Sequence, residues 1–107
     1  MEGIIDTIRK LTRLDRIAFR RHSILRMRQR GIDVDDVKNA LLSCKIIEEY
    51  PEDRSMPSFL TMGYTRTEEP LHIVIAVDNE DNMLWVITVY RPDPNEWGSG
   101  FTRRIKR

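Results

Sequence analysis

Residues 71–91, LHIVIAVDNEDNMLWVITVYR, decide the fold. Two runs, 71–78 and 83–91, are dense in Ile, Val and aromatic residues. The four polar residues NEDN between them have the composition of a hairpin turn. Both faces of each run are apolar, as in strands that lie inside a sheet rather than at its rim. Upstream, SFLTMGY (58–64) reads as another strand. So does KIIEEY (45–50), where Ile46, Glu48 and Tyr50 alternate with Ile47 and Glu49 until Pro51 ends the run. The PEDRSMP stretch between these two is a loop. Strands joined by short loops favour antiparallel neighbours. The fold expected from this half is a four-stranded antiparallel meander, packed on one face by helices.

Before Cys44 the apolar period is 3.6 instead of 2. Ile4, Ile5, Ile8, Leu11 and Leu14 give an amphipathic helix over 2–13. Residues 15–30 read as helical over most of their length, with Ile17, Ala18, Leu25 and Met27 as candidate buried positions. A break is expected near 20–23, where Ser23 can cap a new helix. Gly31 stops that helix. Asp33 caps a third one, with Asp36 three residues on as in a capping box. Val34, Val37, Ala40, Leu41 and Cys44 form its apolar face. The class is therefore α+β, helices first and sheet second.

At 107 residues the chain is the size of one domain, 1–107, and its 40 % hydrophobic content suffices for a small core. A single cysteine rules out an intrachain disulfide and suits a reducing compartment. No apolar run approaches the roughly 20 residues that span a bilayer. The N-terminus lacks a signal-peptide core. The expected location is cytoplasmic, with no membrane partner. The net charge of +1 conceals a polarised chain. Residues 1–31 carry nine Lys/Arg against three acidic residues, residues 32–82 four against twelve, and residues 83–107 five against two. Basic ends that meet in space would make a site for a polyanion, whereas separate solvated runs would not.

The sequence has no Gly-rich phosphate loop, CxxC, HExxH or GxSxG. Two histidines and one cysteine without ligand spacing give no expectation of a metal or other cofactor. Two constellations remain. His22, Arg26 and Arg30 fall at i, i+4 and i+8, along one helix face. A row of cations repels itself by roughly 0.2–0.5 kcal/mol per pair, so it calls for acidic partners or an external anion. Glu48, Glu49 and Asp53 are the candidate internal partners. The alternative is an Arg fork on phosphate beside an imidazole that can move protons. On the strands, His72 starts one run, while Thr88 and Tyr90, two apart, share a face. Each has an ordinary structural reading, as a satisfied His and as simple β-propensity. Gathered in one cleft with His22 and Arg26, they would supply what metal-free RNA cleavage needs: a base, an acid and cations for the charged intermediate. Trp97 either stacks on a base or folds back over a sheet end. Arg103, Arg104, Lys106 and Arg107 read as a basic arm. Arg30, Arg91, Trp97, Arg103 and Arg104 are the candidate RNA contacts.

The linked motifs H-x3-R-M-x2-R-G-I, IIEEYPED, PLHIVIAVD and ITVY-x-PDP-x-x-W, in this order over residues 20–98, resemble the domain-of-unknown-function 4258 family. Residues 1–19 are then an additional N-terminal helical segment and 99–107 a basic tail. The resemblance implies a RelE-like fold, similar to the RelE/ParE and barnase-like toxin nucleases. It also implies the toxin half of a toxin–antitoxin module, with a small zinc-finger antitoxin as partner and RNA as substrate. His22, Arg26, His72, Thr88 and Tyr90 match the family's polar motif positions. The function expected is a metal-independent endoribonuclease. The alternatives are a non-catalytic RNA- or protein-binding module on the same scaffold, and a regulatory partner that uses the acidic middle. The placing of the two histidines separates the first two: both open into one basic cleft for chemistry, or His72 buried and bonded to backbone for binding.

Overall fold

The computed structural model describes residues 3–52 and 56–105. In chain order it has α1 (Ile4–Arg13), β1 (Ile17–Phe19), α2 (Arg21–Arg30), α3 (Val34–Leu42), β2 (Lys45–Tyr50), β3 (Ser58–Tyr64), β4 (Pro70–Asp78) and β5 (Met83–Tyr90), then a short 3-10 turn at Ser99–Phe101. The five strands form one mixed sheet in the order β1-β5-β4-β3-β2.

The expected four-stranded antiparallel meander, and with it the RelE-like architecture, is corrected by β1. Strands β2 to β5 do pair antiparallel in sequence order. Beyond β5, however, Ile17, Ala18 and Phe19 pair in parallel with Leu84, Trp85 and Val86. The segment expected to be helical therefore begins as a strand. Asp15 takes a left-handed conformation (φ 58) just after α1 and turns the chain into it, a conformation that Asp tolerates better than most residues. Arg16 then fixes the register by donating through its guanidinium to the Asp81 carbonyl (2.6 Å) and the Asn82 carbonyl (3.2 Å) of the β4–β5 turn. Ser23 does not cap α2. Arg20 holds that position, and the Ser23 hydroxyl donates to the Arg20 carbonyl at 2.7 Å.

Other elements end for the reasons visible in their residues. Gly31 closes α2 in the left-handed region (φ 67), and Asp33 and Asp36 make a reciprocal capping box on α3. The helices sit on one face of the sheet. There α1 packs on α3 and β5, α2 on β5, and α3 on β3 and β4. The core between the layers is built from Ile8, Leu11, Met27, Val37, Ala40 and Leu41 of the helices and Leu71, Ile73, Ile75, Leu84, Val86 and Val89 of the central strands. The approach of α3 to β3 is close. A Cβ added to Gly63 would lie 2.0 Å from the Ala40 carbonyl oxygen, so only glycine fits.

Among the described residues the opposite face carries no α-helix, and cross-strand pairs show what lies on it. Met62, His72 and Tyr90 make one row. Leu60, Val74 and Thr88 make the next. Ser58, Ala76, Trp85 and Ala18 make the third. An irregularity in the β4–β5 register skips Ile87, so Trp85 shares a face with Thr88 and Tyr90 although it lies an odd number of residues away. A second skip in the β2–β3 register, at Ile47, puts Glu48 and Tyr50 on this face while Ile46 packs toward the core.

Candidate nucleic-acid interface

Between Arg16 and Asp33 the chain has no acidic residue, and α2 occupies most of that interval. Its buried residues are Ser23 and Met27, a narrow stripe that leaves the rest of the helix to solvent. Arg21, His22, Arg26 and Arg28 are exposed, and none of them has an ion-pair partner among the described residues. Arg20, just before α2, lies 5.0 Å from the centre of the Trp85 ring on the helix-free face. Such a contact orients a guanidinium without supplying a counter-charge.

The expected column of His22, Arg26 and Arg30 is divided by the fold. His22 and Arg26 are exposed, while Arg30 is half-buried and donates to the Val89 carbonyl at 2.6 Å. The reason is the sheet edge. β1 ends opposite Val86, so on that side the remainder of β5 has no strand beside it among the described residues. There α2 supplies the missing donors, from the Arg20 amide to the Val86 carbonyl (2.9 Å) and from the Arg30 guanidinium to Val89. Arg91 closes the same corner. It donates to the Glu69 carboxylate at 3.2 Å and to the Arg30 carbonyl at 2.5 Å. Arg30 and Arg91 are thus engaged in holding α2 to the sheet.

His72, Thr88 and Tyr90 do come together, on the helix-free face. His72 and Tyr90 are directly paired across β4 and β5, and Thr88 is two residues from Tyr90. His72 is 0 % exposed. Its Nε2 lies 2.7 Å from the Phe101 carbonyl oxygen, and its Nδ1 lies 3.0 Å from the Tyr90 hydroxyl. A carbonyl only accepts, so Nε2 carries the proton, and the bare Nδ1 accepts from Tyr90. Burial, the dominant cause, lowers the His72 pKa and keeps the ring neutral. Burial also raises the pKa of Tyr90, which stays a protonated donor.

The cover over His72 is the end of the chain. Trp97 pairs antiparallel with Arg104, and the amides of Gly98 and Ile105 bond back to the carbonyls of Arg103 and Glu96. Trp97 is 4 % exposed, with its ring edge-on to His72 at 4.4 Å. Of the two readings of Trp97, folding back over the sheet is the observed one, and the ring is not available to stack on a base. Arg104 lies 4.7 Å over Trp97 and grips Glu48 through both carboxylate oxygens, at 2.7 and 3.1 Å. Tyr50 donates a 2.5 Å hydrogen bond to the same carboxylate. The Arg104 contact is the main cause that holds Glu48 below the usual carboxylate range, and burial is the main cause that pushes the Tyr50 hydroxyl up to about 12. Arg104 is therefore a clamp, although it is exposed as Arg103 is. Asp53, Lys106 and Arg107 lie outside the described residues.

Among the described residues no group of three or more His, Cys, Asp or Glu is placed to hold a metal ion. Cys44 is buried, and desolvation pushes its thiol up to about 11, far from a reactive thiolate. Sequence reasoning missed Arg20 and Trp85. The signal for Trp85 was present in an aromatic residue on a central strand, but only the register skip reveals its face. Glu48 and Tyr50 were seen as a strand, not as the anchor of the chain's end.

The fold and the site define a small α+β protein: a helix-backed mixed sheet, a basic helix along one edge, and a helix-free face with aromatic residues. Residues 19–91 match the family described as a domain of unknown function (DUF4258), and the chain belongs to that family. No curated protein and no solved structure matches it.

Proposed function

We propose that this protein is an RNA-binding module that grips the phosphate backbone with the exposed cations of α2 and does not cleave it. The observation that carries this reading is the set Arg21, His22, Arg26 and Arg28, exposed on one short helix with no carboxylate partner among the described residues. Three guanidiniums without a counter-charge on one ten-residue helix concentrate positive potential, and an external polyanion neutralises it. Arginine suits the role, because its planar fork matches phosphate oxygens. His72 argues against cleavage in this state. Both ring nitrogens are occupied, one by a backbone carbonyl, and the ring has no path to a ribose hydroxyl. The test is binding of a labelled RNA by wild type and by an Arg21→Ala/Arg26→Ala double variant. The expected outcome is a loss of affinity with an unchanged melting temperature. RNA binding that the double variant retains in full would contradict the reading.

One observation favours a second reading, that of a toxin-type, metal-independent endoribonuclease. The Tyr90 hydroxyl sits on His72 Nδ1 with Thr88 on the same face, which is an acid–base pair in reach of one another. Such chemistry needs the Phe101 carbonyl to leave Nε2, with His22 and Arg26 serving as proton-transfer group and phosphate cation. Removing one general acid or base lowers a rate by roughly 10²–10⁴-fold. On this reading RNA is cut in the presence of EDTA, and His22→Ala and Tyr90→Phe each stop it. Cleavage that requires added magnesium, or a fully active His22→Ala protein, would remove the reading.

A further inference from the structure

The phosphate grip of α2 does not by itself distinguish a duplex from a single strand. The helix-free face does. We infer that Trp85, with Arg20 laid over it, is a stacking platform for an unpaired base, so that the RNA bound is single-stranded. This rests on the proposed RNA binding and names the form of RNA that the same surface takes.

Four observations carry it. First, Trp85 is half-buried, on a face that no helix covers. Second, its neighbours in the row are small, Ala18 and Ala76 on either side and Ser58 beyond, with Tyr50 only at the far end, so the indole has no bulky group directly beside it in the row. Third, the Arg20 guanidinium is 5.0 Å from the ring centre, and Arg20 is exposed without an ion-pair partner among the described residues. A guanidinium plane and an indole are both surfaces on which bases stack. Fourth, Arg20 leads directly into α2, so a strand held by Arg21 and Arg26 passes beside the platform. The occupant is fixed by charge: a polyanion that also offers a flat π-surface. In an A-form duplex the bases are stacked on one another and only backbone and shallow-groove edges are presented, so that form has nothing to lay on Trp85. Trp97, the other tryptophan, is spent on covering His72 and does not compete for this role.

The experiment compares a fluorescein-labelled oligouridine with a blunt RNA duplex of similar length, by anisotropy, against the full chain. The inference predicts that the single strand binds more tightly. Trp85→Ala should weaken the single strand by roughly 5- to 150-fold, the loss of one stacked base. Trp85→Phe should restore most of it, and duplex binding should be unaffected by either change. Arg20→Ala, which leaves the sheet intact, should also weaken the single strand more than the duplex. Equal affinity for the two forms, with Trp85→Ala binding as wild type does, would overturn the platform while leaving the phosphate grip standing. Absence of binding to either form by the wild-type protein would overturn both.

Discussion

At the scale of single residues, the histidines and arginines divide into those the fold uses and those it leaves to solvent. His72 is neutral in the fold, with its pKa below the ordinary 6.5, chiefly through burial. As pH falls through 6.5 the unfolded chain takes up a proton that the folded chain refuses. The stability contributed is full above that value and is lost as pH falls toward the lower folded pKa. The melting temperature should therefore be level from about pH 8 to 7 and decline as pH falls below 6.5. Glu48, whose carboxyl is also held below its usual range, adds its own loss only below 4.5. A His72→Gln variant should melt lower throughout and lack most of the decline between 6.5 and the onset of carboxylate protonation. A wild-type profile flat over that interval would contradict the buried neutral ring. The arginines make a parallel contrast. Arg30→Ala leaves the Val89 carbonyl without its donor and should cost about 1–3 kcal/mol in chemical denaturation. Arg26→Ala, exposed and unpaired, should change stability by less than about 0.5 kcal/mol.

At the scale of elements, the contact of α3 with β3 is the tightest constraint. Gly63→Ala would drive a methyl group into the Ala40 carbonyl. Overpacking against backbone, which yields less than a side chain, should cost about 3 kcal/mol. The melting temperature should then drop by more than about 10 °C. A Gly63→Ala protein as stable as wild type would mean that α3 stands farther from the sheet. The capping box at Asp33, the stop at Gly31 and the strands from 45 to 90 were legible because each is written in local chemistry: a cap, a left-handed glycine, a period of 2. β1 was not legible. Three residues are too few to establish a period, and Ile17 and Ala18 fit a helical pattern as well as an extended one. Its pairing with β5 is set by partners more than 60 positions away, through Arg16 and the β4–β5 turn. The two register skips were hidden for the same reason. A strict alternation assigns Ile46 to the face of Glu48 and Trp85 to the face opposite Thr88, and only the neighbouring strand reveals the skipped residue.

At the scale of the whole molecule, the charge division along the chain becomes a division of labour. Arg91 and Arg104 of the basic C-terminal stretch are turned to the acidic middle, where they are bound to Glu69 and Glu48. The site grouping expected from the sequence was half legible in the same sense. His72, Thr88 and Tyr90 meet, as period-2 spacing allows. His22 and Arg26 stand on a helix whose place along the β5 edge depends on the strand that local reasoning could not see. The arginines of α2 have no ion-pair partner among the described residues, and the central claim is that this helix meets the phosphates of RNA. The most direct measurement is the affinity for a labelled single-stranded RNA over a series of salt concentrations, in wild type and in the Arg21→Ala/Arg26→Ala variant. For single strands the slope of log K against log salt is about −0.7 per phosphate neutralised. The account predicts a steep negative slope in the wild-type protein, made shallower by about 1.4 in the double variant if each arginine meets one phosphate. Equal slopes in the two proteins, at equal affinity, would contradict it.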